Sequence, residues 1–451
     1  MSSDQTPQSS DSKSLTELGV LFRNKGQHDE AVRHFRLAVD AARTDTWPRI
    51  QLGMTLRDDG KFAEAMQIFD AALEIEPQNL PALTEAAETA RRWGRTELAI
   101  RYYEKLIVLD PHHIEYYHLL ILRQLRGMGL VREALALLGQ LLRTPNGRIN
   151  ALAEIHALVR EFPELREDAG ALITRHTGET AAFRFLPAKS HDGGGGKVPL
   201  NQVYRMRRTH EDHPTVFRAH ETFDRISTVS GARKESGVPR PWGRSYDYAV
   251  LSSMSIDFKG KRIADLGARD GYFGAWLTGE AAEVYISDYF QFWDDEWHGK
   301  DRPPGVDSFA DWKRRWSAMA PNPKRLICER QDITQLSYPD EFFDVTICTS
   351  VIEHMWPKDI KGMQEIVRVT KRGGIIGMST EMSPANIWSR GTYWYNEGSF
   401  LARLIEPHPV EFLGPWDFSL DDPENRSEWT LMVDQVRSEP AFSAVFALKR
   451  L

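Results

Sequence analysis

A 34-residue period at the start of the chain constrains the fold more than any other feature of the sequence. A glycine, an alanine and an aromatic residue recur at that step: Gly26, Gly60 and Gly94; Ala31, Ala65 and Ala99; Phe35, Phe69 and Tyr103. A glycine permits a tight turn between two helices, and alanine lets the two backbones approach closely. Because one helix pair cannot bury its apolar face alone, the period predicts a stack of several pairs.

A fourth, shifted copy of the pattern follows at Gly129 and Ala134. The stretches LTELGVLF…EAVRHFRLA and RIQLGMTL…EAMQIFDAALEIEP resemble the tetratricopeptide-repeat family, and the resemblance covers about residues 14–145. It implies an all-α solenoid that docks a protein partner, and a purely intramolecular role is the alternative. The third copy departs from the family because Ala86-Ala87 replaces Leu-Gly.

Composition excludes several classes of protein. The 451 residues are 41% hydrophobic and 27% charged, which is too apolar for a chain that is disordered throughout. Two cysteines exclude a disulfide framework and a thiolate-rich metal site, and they fit a reducing, cytoplasmic location. A net charge of −7 argues against a protein that coats nucleic acid. No apolar run is long enough to predict a membrane span.

The sequence divides into four predicted segments. Residues 1–13 are polar and predict a disordered tail, and residues 14–145 contain the repeats. Residues 146–240 predict a helical connector that ends in a flexible linker at Gly193–Gly196. A glycine-rich phosphate loop is not expected there, because no strand precedes the glycines. Residues 241–451 predict a second folded domain.

That second domain begins with an apolar strand, a glycine-containing turn and a helix. Ile263–Leu266 is the predicted strand, Gly267–Gly271 is the turn, and Tyr272 begins the helix. A second predicted strand, Glu283–Ser287, is followed by Asp288, where an acid can accept hydrogen bonds from both hydroxyls of a ribose. This order suits a ligand that binds at the carboxyl ends of parallel strands.

Further segments follow toward the carboxyl end. Asp332-Ile333 precedes a turn, Phe342–Ser350 predicts an apolar strand, and a helix is predicted from about Asp359 to Thr370. Lys371–Gly374 is interpreted as the glycine-marked end of that helix. A strand that ends at Thr380-Glu381 comes next.

In this order, DLGARDG, QDI, FDVTICTSVIEH and RVTKRGG resemble class I S-adenosylmethionine-dependent methyltransferases over about residues 240–415. The resemblance implies an α/β Rossmann-like domain, an enzyme, and S-adenosyl-L-methionine as its cofactor. Arg269 departs from the family, in which many members have a glycine at that position. A nicotinamide dehydrogenase, which also has such a glycine-containing turn, is the competing interpretation, but it does not explain the segments FDVTICTSVIEH and RVTKRGG.

The resemblance also implies roles for individual residues around the first two strands. Asp265, Gly267 and Gly271 would frame the methionine and ribose part of the cofactor. Asp288 would hold the ribose hydroxyls.

Three further residues would complete the cofactor site. Asp332 would accept the adenine amine, Ile333 would pack on the adenine ring, and Ser350 would lie at the end of the next strand. For Asp332 the alternative is a purely local role in a turn.

His354 and Glu353 are the predicted catalytic residues. Methyl transfer is an in-line displacement at an activated methyl group, so the enzyme mainly positions the nucleophile, and an oxygen nucleophile benefits from a general base. His354 is the predicted base, and Glu353 would orient it or bind a substrate hydroxyl. A structural Glu-His pair and a divalent-metal site for catechol-like oxygens are the alternatives, and we predict no metal.

The acceptor is indicated by a less specific resemblance. Ser379-Thr380-Glu381 and Trp416–Leu420 look similar to methyltransferases of cell-surface polysaccharide assembly, which implies a sugar or other small-molecule hydroxyl. Glu381 and Tyr393 would then lie near the acceptor. Four tryptophans in an inserted segment suit either stacking on sugar rings or core packing: Trp293, Trp297, Trp312 and Trp316.

Two other functions compete with an O-methyltransferase of glycans or small molecules. One is a protein methyltransferase whose repeats recruit the protein substrate. The other is a non-catalytic scaffold that has lost the cofactor, against which the acids Asp265, Asp288 and Asp332 count.

Overall fold

The structure is a computed structural model whose described residues fall into two compact units. The described residues are 7–143, 145–178, 180, 183, 185–187, 190, 201–204, 219, 222–223, 244–254, 256–269, 272–289, 308–384, 388–389, 392–418, 420, 430–432, 438–440 and 442–451. The first unit comprises residues 1–151, 175–177 and 434–437, and the second comprises residues 152–174, 178–433 and 438–451. Residues 1–6 of the predicted tail at 1–13, and the whole of the predicted linker Gly193–Gly196, therefore lie outside the described residues.

The first unit consists of helix pairs, as the repeat period predicts. Its helices are α1 (Pro7–Asn24), α2 (His28–Ala41), α3 (Trp47–Asp58), α4 (Phe62–Ile75), α5 (Leu80–Arg92), α6 (Thr96–Leu109), α7 (Ile114–Gly127) and α8 (Val131–Leu141). The turn inside each pair has a glycine in the left-handed region, with a φ between 72° and 76°, which residues that have a Cβ rarely adopt. These glycines are Gly26, Gly60, Gly94 and Gly129. The four alanines of the repeat are fully buried: Ala31, Ala65, Ala99 and Ala134.

A second glycine in each of the first two pairs makes room for the repeated aromatic residue. A Cβ on Gly53 would lie 2.6 Å from the ring of Phe69, and one on Gly19 would lie 2.6 Å from the ring of Phe35. In the third pair, Ala87 replaces this glycine opposite Tyr103, and both residues remain buried. The helices of a pair can therefore accommodate one methyl group at this position when the neighbouring side chains adjust.

We expect Gly53→Ala to destabilise the first unit by about 1–2 kcal/mol, because the added methyl overlaps the Phe69 ring. Gly127→Ala is the matched control: it lies at the end of α7, and its Cβ would meet nothing within 4 Å. That variant should be neutral or slightly stabilising, since alanine favours helix. Urea unfolding followed by circular dichroism measures both. Equal effects of the two substitutions would contradict the proposed overlap.

The second unit contains a mixed sheet of nine strands within the described residues. The strand order is β10-β1-β13-β6-β5-β2-β3-β4, and β9 pairs with β13. The strands are β1 (Asn201–Tyr204), β2 (Arg262–Leu266), β3 (Glu283–Asp288), β4 (Leu326–Arg330), β5 (Phe343–Thr349), β6 (Thr370–Met382), β9 (Val410–Phe412), β10 (Trp416–Asp417) and β13 (Phe442–Arg450). Two short hairpins lie apart from it: β7 (Trp388–Ser389) with β8 (Thr392–Tyr393), and β11 (Thr430–Met432) with β12 (Ser438–Pro440).

Helices complete the second unit. They are the later part of α9 (Pro145–Glu161), most of α10 (Arg166–Thr177), and then α11 (Arg244–Ser253), α12 (Tyr272–Leu277), α13 (Phe309–Met319), α14 (Asp359–Val369) and α15 (Glu397–Phe400), which continues as a π-helical turn at Leu401–Ile405. Residues 152–174 thus cluster with the sheet, whereas the sequence interpretation placed them in a connector. The all-α repeat region and the Rossmann-like α/β domain are both confirmed as fold classes.

The order in which the chain adds strands to the sheet reverses between β2 and β5. β2, β3 and β4 are parallel and follow one another outward, and the chain then returns to β5, which pairs in parallel with the opposite side of β2. β6 continues that side in parallel with β5. In open α/β sheets, ligands bind outside the carboxyl ends of the strands at such a switch point.

The sequence interpretation is wrong about Lys371–Gly374. The helix α14 ends at Val369, and β6 begins at once with Thr370, so these residues lie in a strand that pairs with β5. Gly373 does have a φ of 72°, and the pairing register shifts between Phe343 and Val345. The glycines therefore mark an irregularity in a strand rather than a helix end.

A buried ion pair joins three helical segments of the second unit. Arg403 donates from Nε and Nη2 to Asp359 at 2.8 and 2.6 Å, and from Nη1 to Glu154 at 2.6 Å. The hydroxyl of Tyr395 donates to the same Asp359 at 2.8 Å. Burial lowers the pKa of the neighbouring His408 to about 4, so its imidazole is neutral at pH 7 and adds no second cation beside Arg403.

Two other features concern the described residues as a whole. Cys328 and Cys348 are buried and form no disulfide within the described residues, and burial raises the pKa of the Cys328 thiol to about 11. Among the helices of the described ranges, none combines the length and apolarity that crossing a bilayer requires.

Candidate functional site at the carboxyl ends of the strands

The predicted site residues that the structure describes lie along one edge of the sheet. Asp332 and Ile333 follow β4, Asp288 ends β3, and Asp265 and Gly267 lie at the end of β2. On the other side of the switch point, the segment Ser350–His354 follows β5, and Glu381 lies near the end of β6. Gly271 lies outside the described residues. Folding therefore brings residues that are far apart in sequence into one row along the switch point.

The turn after β2 is held by contacts on both sides. Gly267 has a φ of 71°, and a Cβ there would lie 2.5 Å from a methyl of Val351 in the segment after β5. Ala268 donates its backbone N–H to the carbonyl of Ser287, at the end of β3, at 2.8 Å. A larger residue at 267 would push apart the segments on either side of the switch point.

The inserted segment contributes an anchor for the same turn. The indole of Trp312 donates to the backbone carbonyl of Arg269 at 2.8 Å, and Trp312 and Trp316 are fully buried in the main apolar cluster. Stacking on sugar rings and core packing were the two predicted roles, and the structure shows core packing for Trp312 and Trp316. Trp293 and Trp297 lie outside the described residues.

The acids of β2 and β3 are buried where their strands end. Asp265 accepts the backbone N–H of Gly274 at 3.2 Å, which ties the strand to the first turn of α12. A Cβ on Gly274 would lie 2.3 Å from Ile286, so the helix packs directly on β3. Asp288 is also buried, and its backbone carbonyl accepts the N–H of Gln331 at 3.2 Å.

Asp332 closes a turn of its own. Its Oδ1 accepts the backbone N–H of Thr334 at 2.8 Å and the hydroxyl of Thr334 at 2.7 Å. Ile333 is buried beside it. The turn role predicted as the alternative is therefore present, and it uses only one of the two carboxylate oxygens.

Ser350 has a backbone conformation that non-glycine residues rarely adopt, with a φ of 52°. Its N–H donates to both the carbonyl and the hydroxyl oxygen of Ser379 on β6, at 3.1 and 3.0 Å. Strained residues of this kind cluster at functional sites, where surrounding contacts compensate for the strain.

Glu353 and His354 point into different surroundings. Glu353 is fully buried, its Oε2 accepts the hydroxyl of Thr380 at 3.2 Å, and its Oε1 makes no hydrogen bond among the described residues. His354 is exposed, and its Nδ1 lies 3.2 Å from the hydroxyl of Thr392. Thr392, which the sequence interpretation did not identify, is thus a hydrogen-bonding partner of the imidazole.

Carboxylates from α11 and from the segment after β5 act electrostatically on Glu381 near the end of β6. Asp247, on α11, accepts the hydroxyls of Ser379 and Ser443 at 2.7 and 3.1 Å. Burial, followed by the charges of Glu353 and Asp247, raises the pKa of Glu381 well above its ordinary range. Asp247 was missed in the sequence because no motif marks it, and only the packing of α11 on the sheet brings it here.

Tyr393, the other predicted acceptor residue, is buried and stacked on Trp356 with ring centroids 5.2 Å apart. The guanidinium of Arg403 lies 5.9 Å from the centre of its ring. The backbone nearby is close to β6, because the N–H of Tyr395 donates to the carbonyl of Glu381 at 3.2 Å. No group of three or more His, Cys, Asp and Glu side chains in the described ranges is arranged to hold a metal ion.

Comparison with protein families agrees with this geometry. Residues 264–378, from β2 into β6, match a family model described as a methyltransferase domain. Residues 14–46 and 56–125 match two models of the tetratricopeptide repeat. The chain is a methyltransferase with N-terminal tetratricopeptide repeats. No curated protein matches it.

Solved structures are similar to parts of this methyltransferase. A putative methyltransferase from Haloferax volcanii, in complex with a methyltransferase activator, is 15% identical, with 51% of this chain and 96% of that chain covered and a TM-score of 0.32. The YcgJ protein from Bacillus subtilis is 13% identical, with 46% and 98% covered and a TM-score of 0.31. The first repeat domain of Spaghetti, bound to a peptide, is 19% identical, with 27% and 98% covered and a TM-score of 0.25. Scores this low add nothing to the assignment made by the family models.

We expect Glu381→Gln to stabilise the methyltransferase at high pH. Because the folded-state pKa of Glu381 is raised, the folded chain binds more protons than the unfolded chain above the ordinary glutamate pKa. The free energy of unfolding therefore falls as pH rises through that window. The variant should exceed the wild type by on the order of 1 kcal/mol at about pH 8, well above the ordinary glutamate pKa, and match it at about pH 4.

Unfolding of the full chain by urea at several pH values measures this difference. Glu411→Gln, which removes an exposed carboxylate from β9, is the control and should show no such pH-dependent gap. A Glu381→Gln variant that is equally destabilised at every pH would contradict the raised pKa.

Proposed function

We propose that the chain uses S-adenosyl-L-methionine to methylate a hydroxyl group of a sugar or another small molecule. The observation that supports this most is the alignment of Asp288, the turn at Gly267 and the segment Ser350–His354 across the switch point between β2 and β5. An elongated ligand with a polar sugar at its centre can span such an edge.

The residues at the edge fit the parts of this cofactor. Asp265, Gly267 and Gly271 are proposed to frame its methionine and ribose part, and the buried Asp288 to accept its ribose hydroxyls. Asp332 uses Oδ1 for its own turn, which leaves Oδ2 for the adenine amine, and Ile333 supplies an apolar surface for the ring. The proposed place of Ser350 is at the end of β5, beside this ligand.

An unsatisfied group gives a further test of the fit. Glu353 Oε1 is buried and receives no hydrogen bond from the described residues, a state that costs roughly 1–3 kcal/mol unless a donor or a cation occupies the space beside it. The cofactor supplies a methyl group on a positively charged sulfur, so a negative residue near the switch point suits it. A neutral ligand would leave this carboxylate uncompensated.

His354 is the proposed general base. Its Nδ1–H would donate to Thr392 Oγ1, and this tautomer places the lone pair on Nε2 for the proton of the acceptor hydroxyl. The cofactor would supply an activated methyl group, and His354 would take the proton of the acceptor hydroxyl as its oxygen attacks that methyl group. Thr392 therefore sets the tautomer, and Glu353 contributes negative charge beside the reacting groups.

The repeats are proposed to dock a protein partner or a carrier of the acceptor, and Glu381 and Tyr393 to lie on the acceptor side. A protein substrate recruited by the repeats is the alternative function, which the repeat match favours. The two buried thiols, which form no disulfide in the described part of the chain, support a reducing, cytoplasmic location.

Isothermal titration calorimetry with S-adenosyl-L-methionine tests the cofactor. The wild type should bind, and Asp288→Ala should bind at least about tenfold more weakly, because charged hydrogen bonds to the ribose are lost. Asp257→Ala, an exposed aspartate in the turn before β2, should bind like the wild type. Failure of the wild type to bind would overturn the proposed cofactor, and equal binding by the Asp288 variant would overturn the role of that residue.

Mass spectrometry of a deletion strain tests the acceptor and the base together. Loss of a 14-dalton increment from glycans or small molecules, restored by the wild-type gene, is the expected result; loss from a protein would favour the alternative. His354→Gln should bind the cofactor normally but restore the increment about 10²- to 10⁴-fold more slowly, the usual contribution of a general base. Full restoration at the wild-type rate would exclude His354 as the base.

A further inference from the structure

The repeats place an arginine at the same position of the first three helix pairs. Arg23, Arg57 and Arg91 are 34 residues apart, and each lies in the last turn of the first helix of its pair, in α1, α3 and α5 respectively. A positive charge is favourable at this end of a helix, where backbone carbonyls are left without partners. These three residues are called the arginine row below.

Two members of the arginine row are neutralised within the chain. Arg57 is buried, its Nη1 donates to Glu85, and its Nε donates to Asp58 at 3.2 Å. Burial lowers the pKa of Arg57, but these two carboxylates outweigh burial and raise it above its ordinary value. Arg91 donates from Nε and Nη2 to the two oxygens of Glu88 at 2.7 and 2.6 Å. Each of these arginines therefore has a carboxylate of its own.

Arg23 lacks an acid at every position from which the other two arginines receive one. The acids that neutralise Arg57 lie one and 28 residues after it, and the acid that neutralises Arg91 lies three residues before it. At the corresponding positions around Arg23, the sequence has Asn24, Gln51 and Val20. Two of the three are the amides of the acids found beside Arg57. In the part of the chain that the structure describes, no carboxylate forms an ion pair with Arg23.

The missing acids leave polar atoms without partners. Nη1 of Arg23 and Oε1 of Gln51 are both buried and make no hydrogen bond among the described residues. The guanidinium carbon of Arg23 lies 5.8 Å from the centre of the Phe35 ring, which attracts a cation but does not neutralise its charge. Burial lowers the pKa of Arg23, the charge of Asp58 opposes this only in part, and the charge of Arg57 lowers the pKa further. A charged donor in this state loses stability until a partner is supplied.

The partner that fits Arg23 is a carboxylate. The planar fork of N–H groups on a guanidinium matches the two oxygens of a carboxylate, as Arg91 and Glu88 show in the same unit. One uncompensated guanidinium balances one carboxylate, whereas a phosphate monoester has a charge of about −2 at neutral pH and needs a second cation. The other two members of the arginine row cannot supply it, because acids of the chain already neutralise them.

We propose that Arg23 binds an aspartate or glutamate side chain of the partner protein, so that the repeats recognise an acidic segment of that partner. The bound side chain takes the place that Glu85 has at Arg57. The inference rests on the proposed docking role of the repeats and gives that role a chemical specificity. It is independent of the cofactor and of the acceptor.

Selection from phage-displayed random peptides by the full chain tests this specificity without a known partner. Peptides selected by the wild type should be enriched in Asp or Glu at one position relative to the starting library. Arg23→Gln should lose that enrichment, because the amide cannot balance a carboxylate. Arg43→Gln is the matched control, since it removes the same charge from an exposed arginine between α2 and α3, and it should keep the enrichment.

Calorimetry then measures one selected peptide and an analogue in which an amide replaces its acid. Arg23→Gln should lower the affinity for the acidic peptide by about tenfold, the effect of losing one hydrogen-bonded charge pair, and should leave the affinity for the analogue nearly unchanged. This double-mutant cycle assigns the loss to the contact between Arg23 and the acid of the peptide rather than to a general change in the repeats.

A complementary variant supplies the missing acid from within the chain. Gln51→Glu puts a carboxylate where the next pair has Glu85, so it should compete for Arg23 and weaken binding of the acidic peptide by about tenfold. Asn24→Asp tests the same competition from an exposed position if Gln51→Glu does not fold, as thermal unfolding will show. Gln67→Glu, which adds an exposed negative charge on α4, is the control and should have little effect.

The outcomes separate this inference from the proposed function. Selected peptides without an acidic preference would overturn the inference and leave the docking role intact. An acidic preference that persists in Arg23→Gln, or a weakening by Gln67→Glu equal to that by Gln51→Glu, would overturn the assignment to Arg23. Tighter binding of a peptide with phosphoserine in place of its acid would overturn the carboxylate as the ligand. If the wild type selects no peptide, the docking role fails together with the inference, whereas cofactor binding is measured separately.

Discussion

The buried ion pair between Asp359 and Arg403 holds together the part of the structure that contains the proposed catalytic residues. Asp359 begins α14, only five residues after His354, and it also accepts the hydroxyl of Tyr395. Tyr395 lies three residues after Thr392, the partner of the His354 imidazole. Both sides of the proposed base are therefore tied to one carboxylate, and a shift of Arg403 would move the residues that set its tautomer.

A buried ion pair of this kind has a large desolvation cost, and its nearly complete hydrogen bonding explains why the fold can maintain it. Removing two charges from water costs several kcal/mol per ion, which their attraction offsets only with near-complete hydrogen bonding. Arg403 uses three of its nitrogens on two carboxylates, and Asp359 accepts from two different side chains. A substitution of one partner would leave the others charged and buried, so the network acts as a single unit.

Much of the fold was predictable because it follows local patterns. Buried faces are directly visible in the period of the repeats and in the apolar runs at Ile263–Leu266 and Phe342–Ser350. The residues that follow those two strands were therefore predicted to share one edge of the sheet, as they do. Lys371–Gly374 was wrongly interpreted because glycine ends helices more often than it interrupts strands. Asp247 and Arg403 could not be found, since each becomes important only through residues more than a hundred positions away or on another helix.

The contrast between Arg403 and Glu353 is informative about function. Both side chains are fully buried in one unit, yet the guanidinium is fully paired, whereas Glu353 retains an oxygen without a hydrogen bond among the described residues. A buried polar atom that lacks a partner costs about 1–3 kcal/mol, so packing alone gives no reason to place a carboxylate at this position. A ligand that donates to this oxygen, or that brings a positive charge beside it, compensates it when bound, which is the reason for including Glu353 in the proposed cofactor site.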